Sequence, residues 1–312
     1  MDPGATIHKV DTPCRRPQQG GMWLAIDFPN ISPEIFAIDI GSFRFALRWY
    51  AMGYIVGILI GWWIISRALA RPGLFLNGAP MTRQQLEELV TWMVVGIVLG
   101  GRLGFVLFYQ PGYYLQNPAD IFKVWQGGMA FHGGFLGVVI GVWLFARRYG
   151  LPTATLADLL AIATPPALAL VRVANFINAE LWGRPTAVPW GVIFPGEAAQ
   201  ACATAAGPCA RHPSQLYEAG LEGVVLGVVL LVMAFGFGAL KRPGLLAGLF
   251  FAGYGLSRFV VEFFRQADAQ FITPDNPFGH VFLGMTMGQL LSLPMVIAGA
   301  ATILWALRRA GR

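Results

Sequence analysis

The chain has 312 residues, of which 56% are hydrophobic and only 12% charged, with a mean hydropathy of +0.58. Soluble domains carry about 25% charged residues, so one water-bounded core is excluded as a home for this much apolar surface, and a bilayer is implied. The net charge of +6 would suit nucleic acid, but the basic residues fall in pairs between apolar runs, which is a topology pattern; no nucleic-acid partner is expected.

Residues 1–32 read as a polar N-terminal tail. Arg15 and Arg16 are not followed by an apolar segment, so no cleavable signal peptide is expected and insertion falls to internal helices. Apolar runs of spanning length follow at about 46–66, 88–109, 129–147, 156–179, 216–240, 245–264 and 283–307. The expected fold class is an all-α integral membrane protein: seven transmembrane helices, a small external head and an N-terminal external arm. The seven-helix membrane body covers residues 33–309, and residues 310–312 form a cytoplasmic end. Gly53, Gly57 and Gly61 recur every four residues in the first helix, a spacing that lets membrane helices approach closely.

Lysine and arginine set the orientation. Arg67, Arg71 and Arg83, then Arg147 and Arg148, then Lys241 and Arg242, then Arg308, Arg309 and Arg312 belong to one side of an alternating path. That side reads as cytoplasmic. The N-terminus is then external, although the five basic residues ahead of the first helix body, Lys9, Arg15, Arg16, Arg44 and Arg48, pull mildly the other way. Two external segments exceed simple connectors. Residues 110–128 form an arm of aromatic and polar residues, and the Pro/Gly/Ala-rich stretch 180–215 builds the head. No internal repeat and an odd helix count weigh against an inverted-repeat transporter.

The three cysteines and four histidines lack metal-ligand spacing, so neither a metal nor a cofactor is expected. Cys202 and Cys209 either close a short loop as a disulfide in an oxidising compartment or sit as two small buried apolar side chains. Cys14 is left unpaired either way.

Ionisable residues inside spans are costly and face a bundle interior or cavity; here they are Arg102, Arg172, Glu180, Arg258 and Glu262. In the fourth helix Arg172, Asn175 and Asn178 fall on one face. A guanidinium with two amides suits a phosphate; the alternative is a polar seam between helices. In the sixth, Tyr254, Arg258 and Glu262 form a stripe, either a site or a mutually neutralising pair with a tyrosine beside it. His132 lies among Gly127, Gly128, Gly133 and Gly134 at the external mouth of the third helix, where irregular backbone is allowed. An imidazole there suits a general base near neutrality, or is simply solvent-facing.

These residues carry a resemblance. The string Arg172-x-Ala174-Asn175-Phe176-Ile177-Asn178-x-Glu180-x-x-Gly183 resembles the signature of the bacterial prolipoprotein diacylglyceryl transferases. So do Gly127–Gly134 (GGMAFHGG), Arg211–Glu218 (RHPSQLYE) and Glu262-Phe263-Phe264-Arg265-Gln266, in colinear order over about 33–309. Two positions depart: Val171 stands where the family has glycine, and Arg48-Trp49-Tyr50-Ala51 where it has His-Trp-Tyr-Gly.

The resemblance implies transfer of a diacylglyceryl group from phosphatidylglycerol to the lipobox cysteine thiol of a prolipoprotein in the bacterial inner membrane, releasing glycerol phosphate. Its implied partners are that lipid, the prolipoprotein signal peptide and surrounding membrane lipid. The implied catalytic residues are His132, Arg172, Arg258 and Tyr50. Arg172, Asn175, Asn178, Glu180, Gly183, Tyr254, Glu262, Arg265 and Arg102 are the implied headgroup residues. The chemistry agrees: a thiol must ionise before attack, and the departing phosphate oxygen gains charge that cations hold. An anion channel or another intramembrane lipid enzyme are the rival classes.

Overall fold

A computed structural model describes residues 25–41, 43–202, 208–273 and 275–310; Cys14 and most of the polar tail lie outside them. After β1 (Ile26–Asp27), a hairpin of β2 (Glu34–Ile40) and β3 (Phe43–Arg48) leads into α1 (Trp49–Leu69). There follow α2 (Arg83–Phe108), the short α3 (Pro111–Gln116), α4 (Phe131–Tyr149) and α5 (Thr153–Ile177). An irregular stretch holds β4 (Val192–Ile193) and α6 (Glu197–Gln200). Next comes one continuous helix built of α7 (Ser214–Glu218), a π-helical segment (Ala219–Val225) and α8 (Leu226–Phe235). Then come α9 (Leu245–Val261), a hairpin of β5 (His280–Phe282) and β6 (Met285–Thr286), and α10 (Met287–Ala310).

The protein is mostly helical, and its many apolar helices make it a multi-pass membrane protein. Among the described residues, five helices are long and apolar enough to cross a membrane: Trp49–Leu69, Arg83–Phe108, Thr153–Ile177, Ser214–Phe235 and Met287–Arg309. The apolar helix Leu245–Val261 is shorter, and α4, which opens on His-Gly-Gly and ends on Arg147 and Arg148, is not among the five.

The expectation of an all-α chain is corrected in three places, where two-stranded sheets form: β1 with β4, β2 with β3, β5 with β6. The largest replaces the predicted start of the first helix. Glu34–Ile40 (EIFAIDI) and Phe43–Arg48 (FRFALR) are rich in aromatic and β-branched residues, which fit a pleated strand. Arg48, at the family's histidine position, spends its charge closing this hairpin, 3.5 Å from Glu34. Other boundaries move by local chemistry. Thr82 and Gln85 form a reciprocal capping box, so α2 starts five residues before the apolar run does.

The helices pair through small residues. Gly53, Gly57 and Gly61 of α1 lie against Leu170, Ala167 and Ala163 of α5, where any added side-chain carbon would touch the neighbouring chain. Gly96, Gly100 and Gly104 of α2 meet Gly133 and Gly137 of α4 in the same way. With no hydrophobic drive between helices in lipid, such close backbone approach supplies the dispersion contacts that hold them. The buried Asp158 of α5 accepts the free N–H groups of Gly244 (2.7 Å) and Ala247 (2.8 Å), capping α9 from outside its own chain segment.

The tightly packed apolar core occupies one end of the bundle. Ile64, Ile65, Leu86, Leu89, Phe145, Leu156, Leu159, Leu230 and Leu246 belong to it, all near the helix ends that carry the basic pairs. At the opposite end sit the hairpins, α3 and the stretch 178–213, and there the helix interiors turn polar.

Candidate active site

The polar end is organised around Glu218, a carboxylate that is not among the five ionisable residues read from the spans. Glu218, 2% exposed at the end of α7, places one oxygen 2.8 Å from Arg172 Nε of α5 and the other against Arg258 Nη1 of α9. Arg258 Nη2 in turn pairs at 3.0 Å with Glu262, four residues on. Glu222, fully buried one turn beyond Glu218, approaches Arg172 Nη2 at 3.8 Å, and neither of its oxygens has a hydrogen-bond partner among the described residues. Three helices thus bring two guanidiniums onto one bridging carboxylate. Burying such charges is tolerable only because each is paired. The π-helical segment starts at the residue after Glu218; π-segments recur at functional sites, where they re-aim side chains.

Arg172 and Arg258 are therefore brought together, and Tyr254 lies one turn from Arg258 within electrostatic reach of Glu222, Arg172 and Glu218. Tyr50 joins through a relay: its hydroxyl is 3.2 Å from that of Tyr54, whose own surroundings include the Arg172 charge. The contact of Gly53 with Leu170 and Val171 sets these tyrosines level with Arg172. Beside Arg258 and Glu262 is a small cavity of about 190 Å³, also lined by Arg265, Asp268, Phe271 and Thr286. Glu262 packs against Gly288 at the start of α10, a helix N-terminus whose dipole favours an anion. Arg265 is half-buried at the cavity, and burial lowers its pKa from the usual arginine range.

Asn175, Asn178, Glu180 and Gly183 do a different job. α5 stops at Ile177, and its end is closed by N–H groups of Ala179 to Phe176 (2.9 Å) and Glu180 to Asn175 (3.1 Å). This is the Schellman arrangement, with Ala179 in the left-handed position at φ 53° that usually belongs to glycine. The Glu180 carboxylate then folds back to accept from the amides of Asn175 (2.7 Å) and Asn178 (3.2 Å), locking the turn. Gly183 follows in the cleft between Phe264 and His212, donating to the His212 carbonyl at 2.8 Å, where a side chain would strike both carbonyls. The signature so shapes the floor of the 178–213 stretch and ties it to the chain leaving α9.

Arg211 reinforces that tie. Buried at 3%, it donates to the carbonyls of Ala199, Ala201 (3.2 Å) and Gly183 (3.2 Å) and to Gln266 Oε1 (3.3 Å), with Trp182 across its face at 4.0 Å. Cys202 and Cys209 form a disulfide, with Cα atoms 6.0 Å apart, inside the range a bridge requires. His212 joins the tie through its backbone, its N–H donating to the Arg184 carbonyl at 3.0 Å. Tyr217 receives the Trp190 indole N–H at 2.8 Å, and its hydroxyl and His212 Nδ1 share a hydrogen bond of 3.0 Å; burial lowers the His212 pKa.

His132 and Arg102 lie elsewhere. His132 is exposed in the first turn of α4, edge-on to Phe131, and α4 packs chiefly on α2 rather than on the helices of the arginine cluster. Arg102 is 5% exposed and spends its guanidinium on backbone carbonyls of Asp120 and Gly127 (2.6 Å each), Ile121 (2.8 Å) and Gly128 (3.2 Å), with Tyr114 stacked beneath it. It thereby holds the 110–128 arm onto α2. In that arm the Lys123 ion pair, with a Tyr113 hydrogen bond, lowers the Asp120 pKa.

The family model described as prolipoprotein diacylglyceryl transferase matches residues 36–305, spanning every residue of this arrangement. The chain belongs to the prolipoprotein diacylglyceryl transferase family. Among its relatives, the phosphatidylglycerol–prolipoprotein diacylglyceryl transferase of Ruegeria pomeroyi is 58% identical over 93% of this chain and 98% of the relative. That of Cereibacter sphaeroides (strain ATCC 17025) is 58% identical over 91% and 99%. That of Brucella anthropi is 48% identical over 92% and 95%.

Proposed function

We propose that this protein moves the diacylglyceryl group of phosphatidylglycerol onto the cysteine thiol of a prolipoprotein lipobox. The thiolate sulfur attacks the glyceryl carbon bonded to phosphate oxygen, a carbon–sulfur bond forms, and the carbon–oxygen bond breaks. Its electron pair leaves with the phosphate, which departs as glycerol phosphate carrying one more negative charge than in the lipid. The observation that carries this reading is the pair of partly buried arginines, side chains 19% and 14% exposed, on one buried carboxylate. Arg172 binds Glu218 through Nε, leaving Nη1 without a hydrogen-bond partner among the described residues, and the cavity beside Arg258 is the size of a headgroup fragment rather than a whole lipid. Donors fixed before reaction stabilise charge that develops during it.

In this reading Arg172, Arg258 and Arg265 hold the phosphate. Tyr254 and Glu262 line its place, and Tyr50 reaches it through Tyr54. Asn175, Asn178, Glu180 and Gly183 shape the wall around it, while Arg102 fixes the arm over α2 and His132 takes the thiol proton. Seven helices cross the bacterial inner membrane, with residues 178–213, the arm and the N-terminus outside and the C-terminus in the cytoplasm. The alternation of helix ends and the basic pairs at one end support this.

The test is direct. Purified protein in phosphatidylglycerol vesicles, given a lipobox peptide, is expected to raise the peptide mass by one diacylglyceryl group. A peptide of unchanged mass, or one carrying a single acyl chain, would overturn the assignment.

A further inference from the structure

The hairpin between α9 and α10 makes an unusual choice at its tip. Phe282 pairs with Met285, so Leu283 and Gly284 form a two-residue turn, with φ of 49° and 74°. Tight turns with both residues left-handed favour Asn-Gly or Asp-Gly, because a short polar side chain tolerates that backbone and meets water well. Here the first position is leucine, 80% exposed, preceded by Phe282 at 60% and Val281 at 42%. A tip standing in water would have both reasons to carry asparagine.

The surroundings name the solvent. β6 runs directly into α10, and both strands pack on its start, so the tip sits where a span meets the membrane boundary. The neighbouring spans continue the apolar surface, with Leu291 of α10 62% exposed and Leu256 of α9 58% exposed. Asn276 fixes the hairpin base by donating to the His280 carbonyl (2.8 Å) and accepting its N–H (2.9 Å). The tip is therefore presented by a braced base rather than left loose.

We infer that Val281–Leu283 is a lipid-inserted wedge, buried among the acyl chains of the leaflet that borders the cavity. Leucine in a strained turn is explained when the medium around it is hydrocarbon, since the apolar side chain gains there what the backbone loses. The same hairpin contributes Gly279 and Thr286 to the cavity wall, so insertion holds that wall at the depth of the membrane surface. The inference concerns the medium of the tip and stands whether or not the cavity takes a phosphate.

The experiment labels Leu283→Cys with an environment-sensitive fluorophore, in the full chain carrying Cys14→Ser and an intact Cys202–Cys209 bridge. The protein is placed in phosphatidylglycerol–phosphatidylcholine vesicles. Lipids spin-labelled high on the acyl chain are expected to quench the label several-fold more than aqueous iodide does, without any peptide present. Quenching by iodide and not by lipid would overturn the inference. So would shielding that arises only when a lipobox peptide is added, which would make the tip a peptide dock. Should Leu283→Cys fail to accumulate, Phe282→Cys carries the label with the same expected outcomes.

Discussion

Arg172 Nε lies 2.8 Å from the buried Glu218 of α7, and that same carboxylate holds Arg258 on its other oxygen. The two cations that the proposed chemistry needs are thus kept adjacent by an anion lying between their helices. Without it they would repel each other in a medium that screens them poorly.

Arg172→Ala and Arg258→Ala are each expected to abolish transfer in the vesicle assay while the protein still inserts. Lysine at either place should also be poor, because a point charge cannot reproduce a guanidinium fork. Near-wild-type turnover in either alanine variant would remove that arginine from the mechanism.

Glu218 and Glu222 should behave differently although both are buried. Breaking a buried pair by deleting one partner typically costs about 3–5 kcal/mol, and Glu218→Ala strands two arginines at once. Among the described residues the Glu222 carboxylate makes one long ion-pair contact and no hydrogen bond, so Glu222→Gln should cost markedly less. Thermal unfolding in detergent compares them; equal losses would contradict the bridging role.

His132→Gln is expected to slow the chemical step by roughly 10²–10⁴-fold, the usual scale for loss of a general base. Its side chain is exposed at the mouth of α4, so the substitution should leave the fold intact, and protein yield checks that separately. A full rate across pH 6–8 would assign thiolate formation to another group.

The disulfide should act on the 178–213 stretch more than on the bundle. Within the chain-entropy account a loop this short contributes about 2–3 kcal/mol, and Gln200 also binds across it, accepting the Cys209 N–H at 2.9 Å. Cys202→Ser with Cys209→Ser should speed proteolysis within 178–213 while the spans stay protected. Mass after alkylation, with and without prior reduction, checks that the bridge exists.

His212 supplies a pH signature. Burial lowers its pKa below the ordinary 6.5, so above that value the ring is neutral in both folded and unfolded chains. As pH falls through 6.5 the unfolded chain binds the proton first, and stability drops until the folded ring titrates as well. Unfolding followed at pH 8 and pH 5 should show this loss, and His212→Asn should flatten it.

What the sequence disclosed follows the physics of each element. Long apolar runs announce helices because lipid leaves the backbone no other choice, and Arg172, Arg258 and Glu262 stood out because charge in a span demands a reason. Glu218 and Glu222 carried the same signal, four residues apart in the run beginning near 216. Glu218 enters the sequence reading only as the last residue of RHPSQLYE, and Glu222 has no polar neighbour to mark it. Asn175 and Asn178 share a face with Arg172 only while the helix continues. Asn178 is already its cap, and the turn at Ala179 brings Glu180 back to both amides. The hairpin at 34–48 was hidden because its last residues are as apolar as the helix they enter.

The seam between α1 and α5 joins segments that leave the ribosome far apart in time. Residue 69 ends one and residue 153 begins the other, and synthesis at roughly 5–20 residues per second separates them by on the order of 10 s. During that interval Gly53, Gly57 and Gly61 face lipid with nothing to grip. A bulky residue at Gly57, which meets Ala167 most closely of the three, would turn that wait into permanent separation, and the orphaned helix would be a substrate for membrane quality-control proteases.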